Sequence, residues 1–381
     1  WRGEEAPNID SILKRITQEW GYENRYSEID YQKKVADCFQ FPNGLLSNSS
    51  RWMNQLKEWA QRLQGHQQKI EVMLYDGSYR VLLHHARLCL MLGDHYYSSQ
   101  GADQKWQEMA NLFANTDRAT KKFKQKLDEH LFWVAKSSLL TASLLPTFET
   151  SMAVAKKVQA LNKRSPKEYS WQDIAVDQLK QRRESKPDSK QGFFAVNMAS
   201  TGCGKTFANA KIMRSISADG ESLRYILALG LRTLTLQTGD EYRNRVGLDK
   251  SQLAVLIGSK AVTELHQHDN EAQGIVELDS ALSGSESSQP LLDEYIDYDC
   301  DISEESLATV LTREKDRQFL HAPVLVCTID HLMAATETKR GGRYILPCLR
   351  LMSSDLVIDE IDDFTGSDLI AIGRLIHLAG M

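Results

Sequence analysis

The chain lacks a cationic balance: 46 Lys and Arg stand against 51 Asp and Glu, a formal net charge of -5. A globally basic nucleic-acid binder is excluded, so any strand contact has to be a local patch. It also lacks an apolar run of the roughly eighteen residues that a membrane span needs, and it shows no secretory leader. Paired cysteines are missing as well. Cys38, Cys89, Cys203, Cys300, Cys327 and Cys348 are scattered, with no C-x-x-C pair. One lies inside a glycine-containing loop that a disulfide would disrupt. A disulfide scaffold is excluded, and a reducing, cytoplasmic setting is expected, with no membrane partner. The start at Trp1 rather than Met reads as an internal piece of a longer polypeptide.

What is present divides into two textures, and 381 residues suffice for two domains with separate cores. Proline is scarce over residues 1–165, where Pro7, Pro42 and Pro146 are the three examples. Trp52, Leu56, Trp59 and Leu63 form a helical stripe, and Leu82, Leu83, Leu88, Leu90, Met91 and Leu92 suggest a helix buried on most sides. Residues 156–190 hold ten Lys and Arg against five Asp and Glu, with Pro166 and Pro187. The boundary is placed there, with 166–190 as a basic linker. From 191 to 381, short apolar runs (Phe193–Val196, Tyr225–Leu229, Leu253–Ile257, Val324–Thr328, Leu356–Ile358) alternate with helix-like stretches. That alternation predicts a parallel sheet covered by helices. The interval of about 261–312 carries thirteen Asp and Glu and no Lys or Arg. It reads as a solvated insertion. A second reading makes it an acidic flap competing with nucleic acid for a basic channel.

Ala199-Ser200-Thr201-Gly202-Cys203-Gly204-Lys205-Thr206 follows a strand-like run and precedes a helix-like one. Gly202 and Gly204 let the backbone fold so that successive N–H groups point at phosphate oxygens. The following helix adds about half a positive charge at its N-terminus. Lys205 reaches the β- and γ-phosphates of ATP, and the Thr206 hydroxyl holds Mg²⁺. The strict phosphate-loop pattern opens on Gly where this chain has Ala199. Its counterpart is Asp359-Glu360-Ile361-Asp362, fed by the apolar run Leu356–Ile358. Asp359 is the metal-side carboxylate, and Glu360 positions or deprotonates the attacking water. An NTPase follows from the pair.

The forms A-x-T-G-x-G-K-T and D-E-x-D resemble superfamily 2 helicases. Leu227–Arg232 with Gln237 resembles that family's motif Ia, and Val324–Asp330 its later T-x-D motif. The resemblance implies that Arg232, Gln237, Thr328 and Asp330 touch a nucleic-acid backbone, giving position without sequence. Trp171-Gln172-Asp173 looks like the upstream glutamine motif, in which Gln172 reads the adenine edge. It is also readable as a capped helix start with a buried Trp.

In the helical half, Ala86–Ser99 ends an apolar run on Asp94 and His95, followed by Tyr96-Tyr97-Ser98-Ser99. By itself this is a helix end with a capping carboxylate. Together with W-Q-D, A-S-T-G-x-G-K-T, T-I-D-H-L and D-E-I-D-D-F, it resembles the CRISPR-associated nuclease–helicases of type I-F systems. That likeness covers most of the chain, strongest from Trp171 onward and over Leu88–Ser99. It implies a multidomain protein: an all-α HD-type nuclease domain, partial over 1–165, then an α/β RecA-like P-loop lobe with a parallel sheet. It implies Asp94 as a ligand of a nuclease metal (Mn, Ni, Co or Fe), while His84 and His85 read as helix-packing residues. It further implies single-stranded DNA as substrate, with a guide-RNA surveillance complex, an adaptation integrase and inhibitor proteins from phage as partners. A second lobe would supply an arginine finger. Two other readings stay open: an RNA helicase with a helical interaction domain, and an ATP-binding switch without processive unwinding.

Overall fold

A computed structural model of the chain describes residues 28–185, 192–200, 202–230, 232–257, 295–297, 311, 314–336, 342–361, 364 and 366–380. The first half forms helices α1 (Glu28–Cys38), α2 (Ser50–Gly65), α3 (Gln67–Asp76), α4 (Tyr79–Ser99) and α5 (Leu127–Ser151). Ser49 caps α2 by accepting from the Trp52 N–H at 3.4 Å. Asp128 and Glu129 open α5, where their charge suits the helix N-terminus, and Glu129 also accepts the Lys126 N–H. The helix expected to be buried on most sides is half-buried: α4 buries Leu88 and Leu92, while Leu83 is 60% exposed. The α2 stripe likewise leaves Leu63 at 63%. Residues 100–126 depart from helix altogether. There Asp103, Asn115 and Asp117 accept nearby backbone N–H groups and offer the chain a local alternative to helical bonding.

The second half carries strands β1 (Tyr225–Leu229), β2 (Leu253–Ile257), β3 (Tyr295–Asp297), β4 (Val324–Thr328) and β5 (Asp355–Asp359) in the order β3-β2-β4-β1-β5. The four strands other than β3 pair in parallel, and β3 is antiparallel to β2. The covering helices are α6 (Trp171–Ser185), α7 (Lys205–Ile216), α8 (Arg232–Glu241), α9 (Glu314–His321), α10 (Asp330–Met333), α11 (Ile345–Met352) and α12 (Ser367–Gly380). Strand alternation sorts the core into two faces. Ile226, Ala228, Leu325 and Cys327 face one cluster, which α4 joins through Leu88 and Leu92. Tyr225, Leu227, Val324 and Val326 face the other, with Ala210 and Met213 of α7.

Two expectations about strands are revised. Phe193–Val196 is not a strand among the described residues, and Phe194 and Val196 are 76% and 71% exposed. Leu356–Ile358 is a half-buried strand, because β5 has β1 as its one described neighbour. The segment expected as a basic linker contains α6, packed along α7. Ala155, Val158 and Leu161, assigned to the helical half, are buried in the core of the sheet. Most of the acidic interval lies outside the described residues, and the flap reading with it.

Two buried arginines tie the sheet to its helices. Arg350, fully buried, donates to the carbonyls of Leu320, Ala322, Pro323 and Tyr225. Arg224 donates to Ala153, Leu320 and Ser353. Among the described residues, no helix is long and apolar enough to cross a membrane.

Candidate functional site

The phosphate loop is shaped by its glycines. Gly202 and Gly204 adopt φ of +82° and +77°, and Gly204 caps α7, the helix that begins at Lys205. A side chain at 204 would be strained at that φ, and its Cβ would fall 2.8 Å from Gln172 Nε2. The Cys203 N–H closes the turn onto the Ser200 carbonyl at 3.2 Å. Lys205 Nζ stands 4.0 Å from Asp359 Oδ1, so the fold brings the two motifs together from positions 154 residues apart in sequence. Thr206 is half-buried on the first turn. Thr201 and Asp362 lie outside the described residues.

Register explains why the acidic motif sits there. Leu229 pairs with Thr328 on one side and Asp359 on the other, so three strands end level at the carboxyl edge of the sheet. In open parallel sheets ligands bind at that edge. The Ile329 N–H donates to the Leu229 carbonyl at 3.0 Å, joining two of these ends. Glu360 follows β5 at φ +58°, a left-handed conformation rare for a residue with a side chain, and its N–H donates to Asp359 Oδ1.

The residues expected to meet a strand leave from the same edge. Arg232 opens α8, and Gln237 is exposed on its second turn. Asp330 is exposed at the start of α10. Thr328 is 3% exposed, and its hydroxyl is bonded to His331 Nδ1 at 2.8 Å, so it braces the turn instead of facing solvent. Phe364, the last residue of the D-E-I-D-D-F run and given no role there, has its ring against Gly230 where β1 hands over to α8.

Gln172, expected to read an adenine edge, lies against the phosphate loop. It is 3% exposed, its Nε2 donates to the Gly204 carbonyl at 3.0 Å, and its Oε1 accepts from Ser165 Oγ at 2.8 Å. Beside it, burial works against the Asp173 carboxylate, but the Lys211 ammonium and the Ser165 donors outweigh that and lower its pKa.

Asp94 lies on the last turns of α4, 2.9 Å from His130 Nε2 on α5. His130 Nδ1 lies 3.0 Å from Gln125 Oε1, and the Gln125 amide nitrogen is committed to the Tyr97 carbonyl. Both ring nitrogens of His130 therefore face acceptors. The His130 hydrogen bond, opposed by burial, keeps the Asp94 carboxyl below its usual pKa. His84 does pack, as expected, with Nε2 at 2.8 Å from Cys348 Sγ of α11.

The donor set at the sheet edge fits a magnesium nucleotide: backbone N–H groups at a helix N-terminus, a lysine, a hydroxyl and a carboxylate. On the nuclease side the described residues offer only part of a transition-metal ligand set. Among the described residues, no three His, Cys, Asp or Glu groups converge on one point.

Fold and site together define a RecA-like P-loop lobe of the helicase type. A domain described as type III restriction enzyme, res subunit, matches residues 165–345. The chain is 45% identical to the CRISPR-associated nuclease/helicase Cas3 subtype I-F/YPEST of Pectobacterium atrosepticum, over 90% of this chain and 31% of that protein. It is 42% identical to the protein of the same name from Pseudomonas aeruginosa, over 92% of this chain and 32% of the relative. The chain is similar to these subtype I-F nuclease/helicases over about nine tenths of its own length, and it spans about a third of the length of the relatives it matches.

Proposed function

We propose that the intact protein is an ATP-driven single-stranded DNA translocase coupled to a metal-dependent nuclease, acting in CRISPR interference. The observation that carries the motor reading is the meeting of Lys205 and Asp359 at the edge where Leu229, Thr328 and Asp359 end in register. ATP and Mg²⁺ bind at Ser200–Thr206 and Asp359, and Glu360 positions the attacking water. Arg232, Gln237 and Asp330 leave from the same edge, so nucleotide-driven movement there is passed to a bound strand. Thr328 acts indirectly, through His331.

The nuclease reading is supported by the relatives' names and by Asp94. This residue is a half-exposed carboxylate held by His130 at the end of a helix that also packs on the lobe. The helical half is read as the partial HD-type domain, with Asp94 contributing one ligand to a transition metal. A guide-RNA surveillance complex recruits the protein, with an adaptation integrase and phage inhibitors as further partners.

The test uses the intact protein. Lys205→Ala and Glu360→Gln should each abolish DNA-stimulated ATP turnover; if turnover survives both, the translocase reading fails and an ATP-binding switch replaces it. Asp94→Ala should abolish Mn²⁺-, Ni²⁺- or Co²⁺-dependent cleavage of single-stranded DNA. Unchanged cleavage removes the nuclease assignment. Stimulation by RNA in place of DNA would favour an RNA helicase.

A further inference from the structure

We propose that the hairpin over residues 113–126 is a single-strand-binding element that presents DNA to the Asp94 carboxylate. The inference rests on the nuclease reading above and says how that site receives its substrate.

The hairpin is a local exception to the charge of the chain. Residues 113–126 carry five Lys and Arg against one acid, Asp117, whereas the whole chain is net negative. Its two sides pair through the Ala114 N–H to the Gln125 carbonyl and the Lys124 N–H to the Asn115 carbonyl, both at 3.0 Å. Asp117 is spent on the turn, accepting from the Thr120 N–H at 2.7 Å and the Thr120 hydroxyl at 2.8 Å. Arg118, Lys121 and Lys122 stand exposed at the tip as a compact cluster of one sign. A phosphate backbone neutralises such a cluster. Lys121 has φ +57°, where glycine or asparagine would be relaxed, so a cation is kept at a strained position.

An aromatic surface belongs to the same hairpin. The rings of Phe113 and Phe123 stack at 4.7 Å between centres, with 15° between their planes. Phe123 is nonetheless 71% exposed. A ring steadied by one neighbour and open to solvent can take an unpaired base. Cations for phosphate and a ring for a base together suit a single strand, because a duplex keeps its bases stacked on one another.

The foot of the hairpin is fastened to the carboxylate. Gln125 is fully buried, and its Nε2 donates to the Tyr97 carbonyl at 2.8 Å and the Gln100 carbonyl at 3.1 Å. Its Oε1 lies 3.0 Å from His130 Nδ1, and His130 Nε2 lies 2.9 Å from Asp94 Oδ1. Lys124 Nζ donates to the Ser98 carbonyl at 2.7 Å, one turn past Asp94 on α4. A buried and connected network of this kind fixes one geometry. A strand held by the hairpin is therefore held in place relative to Asp94.

The experiment is fluorescence anisotropy of labelled oligo-dT with the full-length protein, without ATP, over a series of salt concentrations. Arg118→Ser, Lys121→Gly and Lys122→Ser are combined in one variant, with glycine chosen to suit the turn. It should weaken binding and lower the salt slope by about two, at ~0.7 per phosphate contact. Phe123→Leu should weaken binding about tenfold with the slope unchanged, and should leave duplex binding unaltered. Both variants should raise the KM of Mn²⁺-dependent cleavage of the oligonucleotide and leave kcat alone. The proposal is overturned if either variant binds oligo-dT as the parent does, or if duplex binding responds equally to Phe123→Leu. It is also overturned if the cleavage KM stays at the parent value, or if only oligo-rU responds to the two variants. Cleavage that survives Asp94→Ala removes the nuclease reading, and the anisotropy still decides whether the hairpin binds a strand.

Discussion

His84 Nε2 lies 2.8 Å from Cys348 Sγ, across the seam where α4 meets α11. Arg87, one turn further along α4, stacks on Tyr344 at 4.5 Å from the ring centre. Burial pushes the Cys348 thiol up to about 12, so the pair is a neutral contact and not a thiolate–imidazolium couple. Burial, with help from the charges of His85 and Arg87, lowers the His84 pKa.

A pH dependence of known sign follows. The unfolded chain takes up a proton at this histidine near pH ~6.5, and the folded ring resists it. Stability is therefore full above that value and falls as pH drops below it, toward the lowered folded pKa. His95, also lowered by burial, adds to the slope in the same direction. Thermal unfolding of the intact protein between about pH 5 and 8 should show this loss on the acid side, and His84→Leu should flatten part of it. An identical slope in the variant would show that His84 does not contribute.

Glu360 holds a left-handed backbone at the residue assigned to water activation. Glu360→Gly should stabilise the fold by ~1 kcal/mol, because glycine takes that conformation without strain, while ATP turnover is lost. Glu360→Gln should lose turnover with no gain in stability. Denaturant unfolding beside a hydrolysis assay separates the two effects.

The parts of the site readable in sequence were those whose chemistry is local. The glycine spacing around Lys205, the helix after it and the apolar run into Asp359 each follow from a few adjacent residues. The companions of these motifs were not readable, because register and burial set them. Thr328 and Asp359 come level through Leu229, a pairing no local pattern encodes. Gln172 lies against the phosphate loop, and its amide oxygen accepts from a serine seven positions upstream that no local pattern pairs with it. Phe193–Val196 has the composition of a strand, yet strand formation needs a neighbour as well as composition. The helical stripe on α2 was real, but periodicity gives a face without saying whether anything covers it.

Arg350→Met should cost about 1–3 kcal/mol, since it removes a charged donor from four buried carbonyls, of which Leu320 and Ala322 keep Arg224 and Pro323 keeps the Tyr225 N–H. Arg350→Lys should recover little of this, because one ammonium cannot span carbonyls on both α9 and β1. Chemical unfolding of the two variants against the parent measures both.

Gly230→Ala places a Cβ 3.1 Å from Cε2 and Cζ of Phe364 and 3.7 Å from the Glu360 carbonyl. The ring has to yield by a few tenths of an ångström, a modest stability loss of ~1 kcal/mol. That displacement falls between the acidic motif and the start of α8. DNA-stimulated ATP hydrolysis should accordingly drop several-fold more than unstimulated hydrolysis. Equal loss of both would mean that the contact only supports the fold.

The exposed run at Phe194 has a practical consequence. Among the described residues β5 pairs with β1 alone, and the exposed side chains of Phe194, Val196 and Met198 add apolar surface to the same lobe. Exposed apolar side chains grouped on one lobe favour self-association. Produced in isolation, this segment should come out of cells as aggregates or soluble oligomers, and charged substitutions at Phe194 and Val196 are the first remedy to try.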